Sequence, residues 1–353
     1  MARRTFLHVG TPKSGTTYLQ YVLWKRARPV MRHHGVLLPG QRATHFAAAK
    51  GVTGKRDQQR RTDTDPAQAW RSLASQVNAW DGDALVCHEL FAPATARRAA
   101  RAKSALHGSQ VHVVLTARSL ARQIPAAWQQ QVRAGLATTY DEFLERLHHG
   151  DPVRDRFRRR AGKAGWFWRV QDLADIAERW AADIPPEHVH IVTLPPDASK
   201  PGLLWERYSS VLGLDGADVD SDVPKRNVSL GRAETELLRR VNAARDPRFR
   251  GVSRHRWTRG LLASQILSQR AGEPIGLPED ARHWVTERTD AMLRQLEAAG
   301  YAVAGDLDDL TAAAPPAGTG GGIATDAEVE QACDWAIGRL AEHLDELRDS
   351  RGG

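Results

Sequence analysis

Lysine, serine and two threonines crowd into one short turn near the start of the chain. An apolar, strand-like run at residues 5–9 leads into Gly10-Thr11-Pro12-Lys13-Ser14-Gly15-Thr16-Thr17, and then into Tyr18-Leu-Gln-Tyr-Val-Leu, which has helical character. A strand, a glycine-bounded loop and a helix start together present backbone N–H groups and the positive end of a helix to phosphate oxygens. Gly10 and Gly15 would let the backbone approach closely, and Lys13 would add a point charge. The spacing is not that of the P-loop NTPases, which place lysine directly after the second glycine. Here Thr16 holds that place and the lysine lies inside the loop.

The string Pro12-Lys13-Ser14-Gly15-Thr16-Thr17 resembles the 5′-phosphosulfate-binding loop of the sulfotransferases that use 3′-phosphoadenosine 5′-phosphosulfate (PAPS), placed as in that family directly after the first strand. The resemblance implies PAPS as co-substrate, no metal, and a cradle of Thr11, Pro12, Lys13, Ser14, Gly15, Thr16 and Thr17. It also implies an arginine at the end of a later strand and a serine eight positions on, both for the 3′-phosphate. Arg118 matches the first, whose planar fork suits bidentate phosphate binding. The eighth position is Ala126, so Ser119, Arg122 or Gln123 would have to substitute. A basic, glycine-containing stretch, Pro224-Lys225-Arg226-Asn227-Val-Ser-Leu-Gly231, resembles the loop that closes the 3′-phosphate pocket. Phe167-Trp-Arg-Val-Gln-Asp172, Asn227-Val-Ser-Leu-Gly231 and Gly305-Asp-Leu-Asp-Asp309 resemble a group of actinobacterial sulfotransferase-family proteins, so the likeness spans most of residues 4–310.

Sulfuryl transfer needs a base for the acceptor proton and positive groups for the transferring and leaving oxygens. Lys13 suits the second task. Family members keep a histidine or glutamate just after the strand that follows the substrate-binding segment, and that place reads Val86-Cys87-His88-Glu89-Leu90. Adjacent residues on an extended strand face opposite ways, so one of His88 and Glu89 should reach the cofactor unless the chain turns there. Glu89 is favoured, because the strand ending resembles the glutamate-using branch. His88-Glu89 is not a zincin motif, since Ala92 stands where the second histidine would. His188 and His190 share a strand face but lack a third metal ligand.

Residues 40–65 are polar, basic and poor in periodicity, which suggests an acceptor-binding flap with His45, Phe46, Arg56 and Arg60 as its reactive surface. Trp128, Trp166, Phe167 and Trp168 could line an aromatic acceptor pocket, although core packing is the plainer role for most of the 11 tryptophans. The acceptor class stays open among small molecules, lipids and carbohydrates.

Short β-branched runs at 5–9, 84–87, 111–116 and 189–194 read as buried strands. Helical patterns at about 16–33, 67–80, 119–134, 140–149 and 166–183 alternate with them, which predicts an α/β fold: a P-loop-like, three-layer arrangement with a parallel central sheet. Later segments near 202–212 and 231–243, and one from Pro278 to Gly300, are helical. The expected domain covers 1–312, followed by a Gly/Pro/Ala-rich linker at 313–324. Beyond it Thr325 and Glu328 form a capping-box pattern, and Val329, Cys333, Ile337, Leu340, Leu344 and Leu347 recur at helical spacing. That 325–353 helix should dock on the body or on a second subunit, so a homodimer is allowed.

At 353 residues the chain can bury a full core, and 41% hydrophobic residues with no apolar run near the about 20 needed to span a bilayer predict a soluble protein. No secretory signal pattern follows Met1, so a cytoplasmic location is expected. Cys87 and Cys333 alone cannot build a disulfide framework. The net charge of +8 suits a polyanionic ligand, but the arginine runs at 56–61 and 154–160 lack the aromatic interleaving of nucleic-acid binders and read as solvated faces. Two other classes fit the motifs less well: a P-loop kinase or NTPase, which wants the missing Gly-Lys-Ser/Thr and a strand-end aspartate, and a non-catalytic nucleotide-binding protein, which Ala126 would suit.

Overall fold

The computed structural model describes residues 2–54, 65–150, 163–196, 200–215, 218–223, 229–244, 255–311 and 324–352. Among these residues six parallel strands form one sheet: β1 (Arg4–Gly10), β2 (Val36–Leu37), β3 (Asp83–Cys87), β4 (Gln110–Ala117), β5 (Val189–Thr193) and β6 (Ala302–Ala304), in the order β2-β3-β1-β4-β5-β6. The helices, in chain order, are α1 (Thr16–Val22), α2 (Arg28–His33), α3 (Arg42–Thr53), α4 (Pro66–Asn78), α5 (Ala96–Lys103), α6 (Leu120–Arg133) and α7 (Tyr140–His149). They continue with α8 (Lys163–Gln171), α9 (Leu173–Ala181), α10 (Pro201–Val211), α11 (Arg232–Ala243), α12 (Glu279–Ala299) and α13 (Asp326–Gly352). The predicted α/β class holds. The four predicted strands are present within a residue or so, and β2 and β6 are additions too short to leave a period-2 signal.

The chain is organised as two compact units, one from Met1–Leu120, Pro152–Pro224 and Thr286–Ala312, the other from Ala121–Asp151, Lys225–Val285 and Ala313–Gly353. The first carries the sheet. Its register places Thr5 beside Ala84, His8 beside Cys87, Leu7 beside Val113 and Thr116 beside Val192. Burial on both faces explains why these strands read as continuous apolar runs rather than alternating ones. Phe6, Val114 and Val192 pack on one face against Leu19, Val22 and Leu23 from the first helical run and Trp205 and Tyr208 from α10. On the other face α9 lies against β4 and α5. Side-chain caps fix the helix starts: Asp65 accepts from the amides of Ala67 and Gln68, Thr95 from Arg98, and Asp172 from Asp175.

The second unit is helical. Thr139 caps α7, and Asn242 of α11 donates to the carbonyls of Val132 and Leu136 at 2.8 and 3.0 Å. Thr325 and Glu328 make the predicted reciprocal capping box, with Thr325 N donating to Glu328 Oε2 at 2.8 Å and Glu328 N to Thr325 Oγ1 at 3.3 Å. Among the described residues no helix is long and apolar enough to cross a membrane.

Candidate functional site

The first unit gathers three of the sequence-predicted elements at the carboxyl ends of adjacent strands β3, β1 and β4. Those ends lie where the strand order reverses about β1, the place where open α/β sheets form a ligand crevice. The loop between β1 and α1 is shaped from below. Thr116, at the end of β4, accepts at its carbonyl from both the amide (2.9 Å) and the hydroxyl (3.1 Å) of Thr11, and its own hydroxyl donates to Gly10 O at 3.2 Å. Ser14 Oγ donates to Thr11 O at 2.5 Å and lies 2.5 Å from Thr116 Oγ1. The side chains of Thr11 and Ser14, expected to face cofactor, are thus turned inward and buried, and they hold the loop's shape.

The rim of the loop is pinned at two further points. Gln171 of α8 donates to Pro12 O at 3.1 Å, and Arg118 Nη1 reaches Lys13 O at 3.4 Å. Lys13 is exposed at the tip with φ 69°, and Gly15, at φ 78°, caps α1. Non-glycine residues in the left-handed region are uncommon and cluster at ligand clamps. A Cβ on Gly15 would collide with Leu204 of α10, and one on Gly10 would lie 3.0 Å from Ala92 Cβ and 3.5 Å from Glu89 O. The second of these approaches brings the loop against the turn that follows β3. Thr16 is buried at the helix start and Thr17 is exposed.

That turn places His88 and Glu89 in different surroundings. His88 remains extended, is buried, and donates its amide to His8 O at 3.0 Å. Its Nδ1 accepts from Leu90 N at 3.1 Å. Burial, chiefly, lowers its pKa, with Glu89 opposing. The neutral ring therefore carries its proton on Nε2. Glu89 opens a short 3₁₀ turn with its carboxylate a quarter exposed, and Oε2 accepts from Gln20 Nε2 at 2.6 Å. Gln20 Oε1 in turn accepts from Arg42 Nε at 3.0 Å.

On the acceptor side the structure corrects part of the sequence reading. Residues 42–53 are not an irregular flap but helix α3; Arg56 and Arg60 lie outside the described residues. His45 is fully buried, with Nε2 2.6 Å from Pro39 O and Nδ1 accepting from Cys87 N at 3.1 Å. It is a core histidine, not a reactive surface. Phe46 does face the site, its ring 5.5 Å from that of His88, and Lys50 Nζ sits 4.5 Å from the Phe46 ring centre. Trp168 is buried in the first unit beside Phe167 and under the Arg288 guanidinium. Trp128 is buried in the second unit, where its indole donates to Thr138 O at 3.1 Å. Both tryptophans are core residues rather than pocket walls.

Arg118 is half-buried, and the Ser119 hydroxyl beside it is buried with no hydrogen-bond partner among the described residues. Arg122 lies in the first turn of α6, within the second unit. Lys225, Arg226 and Asn227 are outside the described residues. Sequence reasoning did not find Gln20, Arg42 or Lys50. Arg42, Phe46 and Lys50 stand four apart, one face of a helix, a signal that reading 40–65 as a loop hid. Toward the beginnings of β4 and β5, away from this edge, His112 Nδ1 lies 2.8 Å from His190 Nε2 and the His188 ring lies 4.3 Å from that of His112, tilted against it. Among the described residues no group of three His, Cys, Asp or Glu is arranged to hold a metal ion.

No protein-family model and no curated protein matches the chain. One solved structure, the crystal structure of a sulfotransferase from Alicyclobacillus acidocaldarius, is similar over 85% of this chain and 96% of its own, with 15% identity and a TM-score of 0.45. A likeness at that level assigns no activity to any residue.

Proposed function

We propose that the protein is a PAPS-dependent sulfotransferase acting on a hydroxyl or amine of its acceptor. The observation that carries this reading is the meeting, at adjacent strand ends, of a lysine-tipped anion loop and a partly exposed carboxylate held by hydrogen bonding. The surroundings fit a nucleotide carrying two separate phosphates. Gly10 and Gly15 leave a cradle that a Cβ would obstruct. The first-turn N–H groups of α1 have no intrahelical carbonyl to meet. Next to Arg118, Ser119 offers a buried hydroxyl that has no partner among the described residues.

PAPS, when bound, supplies an activated sulfuryl group on a good leaving group. The loop amides and Lys13 would hold the 5′ end and place positive charge where negative charge grows. Arg118 with Ser119 would take the 3′-phosphate. Glu89 would accept the acceptor proton. His88 is the poorer base, because its Nδ1 lone pair already receives the Leu90 amide and its Nε2 is a donor. Phe46, Arg42 and Lys50 line the approach.

Calorimetry with adenosine 3′,5′-bisphosphate and AMP tests the nucleotide assignment: the bisphosphate should bind far more tightly, and equal affinities would remove the 3′-phosphate site. Isotopically labelled PAPS offered to a panel of phenols, sugars and lipids then tests transfer.

A further inference from the structure

Helix α13 changes character along its length. Val329, Ala332 and Ala336 are buried, and ion pairs from Arg232 to Glu328 and from Arg240 to Asp326 tie the first turns to α11. These contacts fix the helix at its start. Farther along, Ile337 and Leu344 are 59% and 58% exposed, Leu347 is 44% exposed, and Leu340 completes the row. Ile337, Leu340, Leu344 and Leu347 follow the 3-4-3 spacing of heptad positions a, d, a and d, the seam by which two helices interlock. Beside the seam, Trp257 is 58% exposed and lines a recess with Leu261 and His343. Such a concentration of exposed large apolar groups on one unit is the mark of an interaction surface.

The charges at the seam's edges say what covers it. We infer that α13 pairs antiparallel with α13 of a second copy of this chain. With Leu340 opposite Leu344 of the other copy, Ile337 falls opposite Leu347, and all four apolar layers are filled by a two-fold axis. In that register the edge position of Asp334 meets the edge position of Arg348 from the second copy, twice by symmetry, and both side chains are exposed. His343 meets its own counterpart at the axis, which brings the Trp257 recess beside the contact. Parallel pairing offers no such match, because it would set His343 against Arg348. The seam spans about two heptads, so the pairing relies on the prior anchoring of α13 to α11 and gives a dimer of roughly micromolar strength.

Sedimentation velocity on the full chain from ~1 to ~200 μM should show a monomer passing into a dimer. Leu344→Glu should weaken the dimer by at least about 100-fold with an unchanged far-UV CD spectrum. Asp334→Arg should weaken it by about 5–10-fold, and the double variant Asp334→Arg/Arg348→Asp should recover most of that loss. The exposed charge pair keeps the test open even if Leu344→Glu fails to fold. A wild type that stays monomeric throughout overturns the inference, as does a dimer indifferent to Leu344→Glu. Weakening by Asp334→Arg without recovery in the double variant overturns the antiparallel register.

Discussion

Gln20 donates to Glu89 across 2.6 Å, so a buried residue of the helix that follows the phosphate loop holds the carboxylate that follows β3. The two are 69 positions apart in sequence and are joined because β1 and β3 are neighbours. Arg42 continues the chain through Gln20 Oε1. Glu89→Gln keeps the shape and removes the basicity, and should lower single-turnover transfer by ~10²–10⁴-fold while leaving nucleotide affinity nearly unchanged. His88→Asn should cost far less. Reversal of that order would make His88 the base. Gln20→Met, which loosens the carboxylate without removing it, should fall between the two.

Much of this site was legible in the sequence because its signals are local. The 10–17 loop is contiguous, and Arg118 and Glu89 stand at the ends of strands whose apolar runs mark them plainly. Gln20 and Arg42 were not legible, since each gains its role only through a pairing of non-adjacent strands and helices. His45 was misread for a related reason: its sequence neighbours are polar, yet α3 turns it inward against Pro39 O and the Cys87 amide. The strands β2 and β6, two and three residues long, are defined by their neighbours rather than by their own pattern.

Lys13 stands at the exposed tip of the loop, while the loop's form depends on Thr11, Ser14 and Thr116. Lys13→Ala should therefore leave the cradle standing and lower turnover more than it weakens binding of PAPS, as expected for a charge that matters most when charge develops on the transferring group. Steady-state and single-turnover rates, measured beside calorimetric affinity, separate the two effects. Unchanged turnover with a raised Michaelis constant would assign Lys13 to ground-state binding alone.

Gly15 combines φ 78° with a Cβ vector aimed into Leu204. Gly15→Ala should cost about 1–3 kcal/mol of stability, through left-handed strain and displacement of the leucine. It should also weaken nucleotide binding, because the turn that aims the α1 amides would shift. Thermal melts with and without adenosine 3′,5′-bisphosphate read both. Shortening Leu204 in a Gly15→Ala/Leu204→Ala double variant should relieve the clash but not the backbone strain. A single variant as stable as wild type would show that the loop accommodates the methyl without moving.

His8 and His45 are fully buried within bonding distance of protein groups, His8 between Cys87, Thr116 and Tyr208 and His45 between Pro39 and Cys87. Burial, followed for His8 by the nearby His88, lowers their pKa values to about 3 and about 4. His112 and His190, also chiefly through burial, are lowered to about 4. An unfolded histidine titrates near 6.5, so between pH 6.5 and 4 the unfolded chain holds protons that the folded chain refuses. Stability must then be full above pH 6.5 and fall as the pH drops through that window, flattening only below the folded pKa values. Each such proton contributes a slope of about 1.4 kcal/mol per pH unit. Urea denaturation between pH 7.5 and 5, where most carboxylates stay ionised, isolates the histidines. His112→Asn should flatten the curve by close to one proton, and a midpoint that does not move over this range would contradict the neutral, buried state of these rings.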